Sequence, residues 1–469
     1  MGILDFPTEV QLAIAELLPL CDLSALSMTS KGLRHLTEPL IYSSIRMTWT
    51  LQDHPTIVLL LRTILERPEL GSYIRRLKLD GEGFLQPSRQ WIAQNPAALP
   101  NIVLLQAEKL SRAADSAGVE ENTGSWVHEA QSGSPNAVVA FLLSLLPNLE
   151  WLSLSCNWTN EIKYIGLVFK SALCKTAMDG FPPRLPVYES LKHVELAPRV
   201  DTDHFLDPEN TLDALSLFYL PNIEHLSVCI DNPIEFSWPC STPPNPLLLT
   251  SLELDRIRET RLEPLLSALK SLRKLQYNWF YQADMDPKVS NRVVKLDTMA
   301  AALAVLRDTL TELTITGETQ PALSMGEYDP PDITFQGSLG QLSQLHKLKR
   351  MNIPWLFLMG MTESPPGRID FNLPPNVENL ALPGDLFEVD SNEWDDEMII
   401  SALRSELENG ALSRMGCLKN MTVSGSYCLN REPSEYLRDI EALSVQFNLE
   451  VMDSRKDFIK TGIRNRQNS

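Results

Sequence analysis

The sequence predicts an α/β protein in which a short three-helix unit precedes a domain built from repeats, with a parallel sheet inside and helices outside. Two observations lead to this prediction. Residues 3–42 contain three short amphipathic segments with helical spacing. From Tyr42 to Val423 an apolar triplet with fixed internal spacing then recurs along the chain. With 43% hydrophobic and 22% charged residues among 469, the composition is that of a folded protein with an ample core.

The first predicted helix begins beside Asp5, a candidate N-cap, and has Pro7 in its first turn, where a missing backbone N–H costs nothing. Pro19 is expected to end this helix. Its apolar residues fall on one helical face, and they are Val10, Ile14, Leu17 and Leu18.

Two further short helices are predicted, with Asp22 and Ser30 as their N-caps and with Pro39 limiting the length of the last one. Their apolar residues are Leu23 and Leu26 in the second helix, and Leu33, Leu36 and Leu40 in the third. A unit of about forty residues buries too little apolar surface to be stable alone. We therefore expect these helices to pack on a partner or on the rest of the chain.

This N-terminal stretch resembles an F-box, whose pattern is Leu-Pro-x-Glu, spaced aliphatic residues, Asp-Leu-x-x-Leu, Ser-Lys and Arg-x-Leu. The matching residues are Pro7, Glu9, Val10, Ile14, Leu17, Leu18, Asp22, Leu23, Leu26, Ser30, Lys31, Arg34 and Leu36, followed by the exit Pro39-Leu40-Ile41-Tyr42. Phe6 stands where leucine is usual, and Leu33 stands where an aromatic residue is frequent. These departures bear on the affinity for an adaptor. The alternative interpretation is an ordinary helical cap on a larger domain.

Charge and cysteine content argue against several classes of protein. A formal net charge of -19 repels phosphate backbones and anionic lipid, so we expect neither a nucleic-acid nor a membrane partner. The seven cysteines are odd in number and form no CxxC pair, which indicates reduced thiols in an intracellular protein without a disulfide or zinc framework. No apolar run approaches a membrane span in length. We expect a cytoplasmic or nuclear location.

The recurring triplet has the L-x-x-L-x-L spacing of a leucine-rich repeat, in which an anchor residue is followed by apolar residues three and five positions later. Twelve copies are predicted in chain order: Tyr42/Ile45/Met47, Ile74/Leu77/Leu79, Ile102/Leu105/Ala107, Leu149/Leu152/Leu154, Leu191/Val194/Leu196, Ile223/Leu226/Val228, Leu249/Leu252/Leu254, Leu272/Leu275/Tyr277, Leu310/Leu313/Ile315, Leu348/Met351/Ile353, Val377/Leu380/Leu382 and Leu418/Met421/Val423.

Helical spacing precedes many of these predicted strands, in residues 56–66, 136–146, 262–269, 298–307 and 398–407. Stacked helix–strand copies give a leucine-rich-repeat-like solenoid, a horseshoe with the parallel sheet inside and helices outside. The intervals between anchors are irregular, so the repeat is degenerate. A generic α/β sheet in which Leu-x-Leu merely marks buried strands is the alternative interpretation.

Three domains follow from these patterns: an F-box at 1–42, the solenoid with long loops at 43–453, and a basic C-terminal tail at 454–469. The predicted loops are Ser111–Ser134, Asp231–Pro246, Ser324–Ser338 and Thr362–Pro375. Asp385–Glu397 is an acidic run, interpreted as a solvated face or a helix start, with a basic partner as the less favoured interpretation.

No enzymatic motif is present: the sequence lacks G-x-S-x-G, H-E-x-x-H, G-x-x-x-x-G-K-[ST] and a complete G-x-G-x-x-G. We predict no catalytic residues, no metal site and no cofactor. The resemblance to F-box proteins implies a non-catalytic substrate receptor of a Skp–cullin–F-box ubiquitin ligase, with a Skp-type adaptor, the cullin complex and an unknown protein target as partners. A repeat scaffold without a ligase role is the alternative, and an enzyme would require a deep polar pocket.

The resemblance places adaptor-binding residues in the predicted helices; they are Phe6, Pro7, Glu9, Val10, Ile14, Leu17, Leu18, Leu23 and Leu26. Side chains alternate along a strand, so residues two, four and six positions after each anchor are predicted to face the concave surface. The candidate target-binding residues are Arg76, Trp151, His193, Glu195, His225, Lys274 and Arg350, with Lys78 and Glu253 on the same face. Trp151, His193 and His225 are equivalent positions in three successive repeats and are predicted to form one ladder. The alternative is that a neighbouring loop covers Trp151 and that the two histidines are simple surface residues.

Overall fold

The structure is a computed structural model that describes residues 6–50, 53–81, 85–86, 89–93, 99–119, 123–174, 185–198, 212–283, 285–320, 331–361, 373–389, 392–409, 415–424, 433–447 and 450–453. These residues belong to two compact units. The first comprises Met1–Thr202, Leu212–Cys229 and Ser237–Leu248, and the second comprises Asp203–Thr211, Ile230–Phe236 and Leu249–Ser469.

The first unit begins with three helices, α1 Thr8–Glu16, α2 Leu20–Ser27 and α3 Lys31–Ser43, and α3 packs against both of the others. Ser30 accepts a hydrogen bond from the backbone N–H of Leu33 at 3.2 Å, which confirms Ser30 as the N-cap of α3. The predicted cap Asp5 lies outside the described residues.

Two predicted features of these helices are wrong. Pro19 occupies the N-cap position of α2, so Asp22 lies in the first turn of the helix instead of preceding it. Pro39 does not limit α3, which continues through it to Ser43. The packing that buries Leu33 and Thr37 compensates for the one backbone hydrogen bond that proline cannot donate.

The strands of the first unit are β1 Ser44–Thr48, β2 Arg76–Asp80, β3 Leu85–Gln86, β4 Arg89–Ala93, β5 Trp151–Leu154, β6 His193–Leu196 and β7 His225–Cys229. β3 and β4 form an antiparallel pair, whereas the other five pair in parallel in the order β1-β2-β5-β6-β7. The remaining helices are α4 Ile57–Glu66, α5 Ala107–Ser116, α6 Thr123–Ser132, α7 Pro135–Ser144, α8 Cys156–Thr159 and α9 Lys163–Leu173, with 3-10 turns at Pro68–Tyr73, Ile102–Leu104 and Asp213–Tyr219.

The second unit also consists mainly of parallel strands and helices. Its strands are β8 Ser251–Asp255, β9 Lys274–Gln282, β10 Val293–Lys295, β11 Glu312–Gln320, β12 Thr334–Gln336, β13 Arg350–Asn352, β14 Asn379–Leu382, β15 Asn420–Val423 and β16 Glu450–Asp453. The parallel order is β8-β9-β11-β13-β14-β15-β16, and β10 pairs separately with β12. Its helices are α10 Leu262–Leu266, α11 Leu296–Ala304, α12 Trp355–Met359, α13 Asp396–Glu408 and α14 Pro433–Phe447, with 3-10 turns at Glu259–Arg261 and Gly340–Gln344.

The predicted alternation of side chains is confirmed in β2, β5, β6 and β8, but β7 departs from it, since Ser227 and Cys229 are buried at positions predicted to face outward. In β5, Leu152 and Leu154 are buried while Trp151 and Ser153 are half-buried, and Leu252 and Leu313 are buried in the second unit. Burying every second residue requires a fixed register, because a slip by one residue would move all apolar side chains to the other face. The five helical segments predicted to precede strands correspond to α4, α7, α10, α11 and α13.

The third predicted triplet is wrong. Ile102 begins a 3-10 turn rather than a strand, and Ala107 begins α5. Asn101 adopts a left-handed conformation (φ 64°) that turns the chain, and Leu105 is buried beyond the turn. The triplet spacing also fits helical positions three residues apart, so the pattern alone does not separate these alternatives.

The predicted loop Ser111–Ser134 is also wrong, because α5 and α6 occupy most of its length. Its many polar residues lie on outward helix faces, whereas Leu110, Ala114, Trp126 and Ala130 recur at helical spacing and are buried. The predicted loop Asp231–Pro246 is confirmed, since this fully described stretch contains no helix or strand. β12 interrupts the predicted loop Ser324–Ser338.

The acidic run Asp385–Glu397 contains a helix start, as predicted. Asp395 accepts a hydrogen bond from the Met398 N–H at 2.8 Å and caps α13. Most of the predicted loop Thr362–Pro375 and the basic tail 454–469 lie outside the described residues. Among the helices that the structure describes, none has both the length and the apolar character needed to cross a bilayer.

Candidate functional site

An apolar surface on α1 and α2 is left without cover in the first unit. Leu17 has an exposed fraction of 86%, and Val10 and Phe6 are also exposed. Ile14 and Leu18 are half-buried, and Pro7 and Glu9 are exposed. The prediction that part of this set would be exposed in the chain by itself is thus confirmed, and we call Phe6, Val10, Ile14 and Leu17 the α1 face.

Leu23 differs from the other predicted adaptor contacts in its burial. Leu23 is buried, so it supports the packing of α2 and adds no exposed area, while Leu26 is half-buried. Leu12 on α1 is also exposed and was missing from the sequence prediction, as were two exposed apolar residues at the ends of α2, Leu20 and Met28. Their positions at the two ends of α2 could have signalled them, because terminal residues of a short helix are readily left uncovered.

A stack of flat side chains crosses four neighbouring strands, and the predicted ladder is therefore confirmed as a geometric feature. The register pairs Arg76 with Trp151, Trp151 with His193, and His193 with His225. The rings of Trp151 and His193 have centroids 3.3 Å apart and are nearly parallel, and those of His193 and His225 are 4.3 Å apart. The Arg76 guanidinium carbon lies 5.4 Å from the centroid of the Trp151 ring. We call these four residues the ladder.

Glu195 lies two residues after His193 and points to the same side of β6. Its Oε1 atom lies 2.5 Å from Nε2 of His193. Burial of this half-buried carboxyl acts to raise its pKa, but hydrogen bonds from His193 and Ser153 and the nearby imidazole of His225 outweigh burial and lower it. Glu195 is therefore held in its anionic form beside two imidazoles.

Two other predicted target-binding residues meet in the second unit. Lys274 and Arg350 both form ion pairs with Glu312, at 3.1 and 3.0 Å. Sequence analysis missed Glu312, although it occupies the same position after its anchor as Lys274 and Arg350 do after theirs. Because this carboxylate partly neutralises both cations, they do not form a strong anion-binding pair. Glu253 is half-buried on β8 of the same unit.

Within the part of the chain that the structure describes, His193, Glu195 and His225 are the cluster of potential metal ligands whose donor atoms lie close together, all within 4.8 Å of one another. The described cysteines form no disulfide. Cys174 and Cys240 are neighbours in the first unit, where burial raises the pKa of Cys174 to about 12. Such a thiol is inert at neutral pH and does not resemble a nucleophile.

Comparison with known families concerns the first three helices. Residues 3–40 match the family model described as the F-box domain. F-box domains typically bind Skp1 and suggest a role in substrate recognition by an SCF ubiquitin ligase, and F-box proteins are typically adaptor or receptor subunits rather than catalytic ones. No curated protein matches the chain.

Proposed function

We propose that this chain, with its F-box domain at residues 3–40, is a non-catalytic substrate-recognition subunit of a Skp–cullin–F-box ubiquitin ligase. In this proposal the F-box unit 1–42 docks on the Skp-type adaptor, and residues 43–453 form a degenerate leucine-rich-repeat-like solenoid that binds a protein target. The tail 454–469 has no assigned role. The chain itself contributes proximity, because it holds a target lysine near the ubiquitin-loaded enzyme.

The exposed α1 face is the observation that carries the proposal. Burying a leucine side chain such as Leu17 is worth about 1.5–3 kcal/mol, and a folded chain gains this energy only when a partner covers the residue. Val10, Ile14 and Leu17 are spaced four and three residues apart, so they lie along one side of α1. A narrow apolar stripe of this kind fits a permanent helical interface better than a transient one.

The repeat architecture of residues 43–453 is supported by the strands themselves. Eleven of the twelve predicted triplets coincide with strands, and within each unit these eleven strands pair in parallel with their neighbours. Parallel neighbours in one register repeat the same outward position from strand to strand, which favours a continuous protein-binding surface. The interaction partner in this proposal is a folded or extended protein segment.

The ladder is the proposed centre of target binding in the first unit. Trp151 is half-buried, has a large aromatic surface and is held by stacking on both sides, features that are common in residues dominating binding energy. Recognition of a phosphorylated target through an arginine cluster is not favoured, since Arg76 is stacked on Trp151 and Arg350 is paired with Glu312.

Adaptor binding is tested by the substitution Leu17→Asp, which places a charge in the α1 face. We expect the variant to lose co-purification with the adaptor and to keep the melting temperature of the wild type. Val445→Asp is a matched control, because Val445 on α14 has an exposed fraction of 85% against 86% for Leu17. Adaptor binding that survives Leu17→Asp, or that is lost equally in the control, would overturn the docking assignment.

The ligase role and the scaffold alternative differ in what accompanies the adaptor. A ligase receptor co-purifies with the cullin and its RING subunit and supports ubiquitin transfer to a captured target, whereas a scaffold does not. Two substitutions separate target capture from adaptor binding. Trp151→Ala should weaken target capture and leave adaptor binding intact, whereas Leu17→Asp should abolish adaptor binding and leave target capture intact. If Trp151→Ala leaves the captured proteins unchanged, the ladder is not the target site.

A further inference from the structure

We propose that His193, Glu195 and His225 bind a divalent first-row transition-metal ion such as Zn²⁺. The inference is independent of the ligase role, since it concerns a ligand of the repeat domain and not the partner of the F-box. All three residues lie in the first unit and on one side of two adjacent strands.

The backbone brings the three donor groups together. His193 and Glu195 are two residues apart on β6, so their side chains leave the same side of the strand. His225 stands directly opposite His193 in the register of β6 and β7. Neither the strands nor the register would have to change for one ion to contact all three side chains.

The distances are close to those that coordination needs. Zinc binds imidazole nitrogen and carboxylate oxygen at about 2.0–2.2 Å, so two ligands of one ion stand roughly 3.0–3.5 Å apart. The donor atoms here all lie within 4.8 Å of one another, and the shortest separation, His193 Nε2 to Glu195 Oε1, is 2.5 Å. The largest separation exceeds the 3.0–3.5 Å range by at most about 1.3 Å, and side-chain rotation has to close this difference for the carboxylate and both rings to reach one ion.

The donor set determines the class of ion. Imidazole ligands favour zinc, copper, nickel, cobalt and iron, whereas calcium and magnesium prefer sites made only of oxygen atoms. Two histidines and one carboxylate supply three protein ligands, which leaves at least one coordination position for water. The side chain of Glu195 is 40% exposed and that of His193 is 17% exposed, so solvent reaches the site.

Neighbouring side chains hold the ligands in place. Trp151 stacks on one face of the His193 ring and His225 lies on the other, which restricts rotation of that ring. A hydrogen bond from Ser153 orients the carboxylate of Glu195. Partners of this kind around a metal site typically change its affinity 10–100-fold. The Arg76 guanidinium on the same face is separated from His193 by the Trp151 ring.

The test is a titration of the metal-free, full-length chain with Co²⁺, followed by competition with Zn²⁺. We expect one ion per chain and a visible spectrum of nitrogen and oxygen ligation without a thiolate charge-transfer band. The variants His193→Asn, His225→Asn and Glu195→Gln should each bind at least about tenfold more weakly, because losing a direct ligand costs no less than losing an outer partner. His128→Asn is the matched control, since His128 is an exposed histidine on α6.

Three results would overturn the site: no stoichiometric binding, affinities of the three variants equal to that of the control, or a thiolate band that identifies cysteine ligands. If a histidine variant unfolds, zinc-edge X-ray absorption of the wild-type chain replaces it. Two imidazole ligands and no sulfur are expected there, and any other ligand set overturns the proposal. Adaptor co-purification of the same variants should match the wild type, so loss of metal binding is distinguishable from failure of the ligase assignment.

Discussion

A buried ion pair in the second unit leads to a sharp prediction about stability. The side chains of Arg258 and Glu259 are 4% and 2% exposed, and Arg258 Nε donates to Glu259 Oε2 at 3.0 Å. The carboxylate also accepts hydrogen bonds from Trp279 Nε1 at 3.2 Å and from the backbone N–H of Lys295 at 3.1 Å. Glu259 therefore joins a 3-10 turn, β9 and the junction of β10 with α11.

Glu259→Gln should lower the free energy of unfolding by about 3–5 kcal/mol. The substitution leaves Arg258 buried without its counter-charge, which is the costly way to break a buried pair. It also turns one acceptor into an NH2 group among the N–H donors of Arg258, Trp279 and Lys295, so at least one hydrogen bond is lost. The guanidinium keeps its bonds to the carbonyls of Asn291 and Val293, which prevents a larger loss.

The assay is thermal unfolding of the full chain, with Glu312→Gln as the control. A unit of roughly 150–250 residues shifts by about 2–4 °C per kcal/mol, so Glu259→Gln should unfold roughly 6–20 °C earlier. Glu312 forms two ion pairs of similar length, but its side chain is 30% exposed and those of its partners are 56% and 65% exposed. Exposed pairs contribute about 0–1 kcal/mol each, so the loss of both should cost about 0–2 kcal/mol, and the control should shift by less than about 8 °C and by less than Glu259→Gln does.

A variant that replaces both members of the pair distinguishes the cost of losing the ion-pair interaction from the cost of leaving one charge buried alone. Arg258→Met combined with Glu259→Gln should be less destabilised than Glu259→Gln alone, because no uncompensated charge remains while the side-chain carbonyl oxygen of the introduced glutamine can still accept a hydrogen bond from Trp279 or Lys295. The reasoning is refuted if Glu259→Gln unfolds within about 2 °C of the wild type, or if the double variant is the less stable of the two.

Three further predictions concern the first unit. Leu152→Ala should cost about 2–5 kcal/mol in chemical denaturation because Leu152 is fully buried in β5, and a loss below about 1 kcal/mol would contradict that burial. Hydrogen bonds from Arg67 lower the pKa of Glu38, so the stability that they contribute is complete above pH 4.5 and is lost as the pH falls through the folded-state pKa. Glu38→Gln should therefore be less stable than the wild type at pH 7 and should approach it at pH 3. A difference in stability that stays constant with pH would contradict this linkage. Iodoacetamide at pH 8 should alkylate the exposed Cys21 well before Cys174, because burial raises the pKa of Cys174 to about 12. Mass spectrometry of timed samples measures both rates, and equal rates would contradict the burial of Cys174.

The strand positions could be predicted because a half-buried strand imposes a simple rule on its sequence. Alternate residues must be apolar, and the triplets ending in Leu79, Leu154 and Leu254 satisfy it with buried side chains. The same rule fixes the register, so the pairing of Trp151, His193 and His225 followed from their equal distances to the anchors. Local spacing was sufficient for both results.

Helices with polar faces were harder to recognise. α5 and α6 lie in a stretch rich in serine and glycine, whose composition is typical of loops, yet Trp126 and Ala130 are buried four residues apart. These helices are stabilised by tertiary packing, for example by the Trp126 indole N–H donating to the Ala137 carbonyl of α7 at 3.0 Å and by the stacking of Trp126 on Tyr164 of α9. Tertiary packing of this kind overrides composition and leaves a weak trace in the sequence.

The chemistry of the sites depended on contacts that spacing does not show. His193 and Glu195 are close in sequence, but their contact depends on the side-chain rotamers of both residues. Glu259 collects donors from residues 258, 279 and 295, and no local pattern indicates that these positions meet. The sequence thus predicted which side chains share a face of a strand, while the partners across elements required the folded chain.

The link between the F-box helices and the first strand bears on how a receptor of the proposed kind would present its target. α3 ends at Ser43 and β1 begins at Ser44, so no flexible linker separates them. The guanidinium of Arg67 reaches back to α3 and donates two hydrogen bonds, at 2.8 and 2.9 Å, to the carboxylate of Glu38.

A long, mobile linker would spread a bound target over a large volume and lower the concentration of its lysines near the ubiquitin-loaded enzyme. Because the α1 face and the ladder belong to the same compact unit, an adaptor bound as proposed would constrain the position of a target bound at the ladder. The choice of the modified lysine would then depend mainly on the shape of the target and less on fluctuation of the receptor.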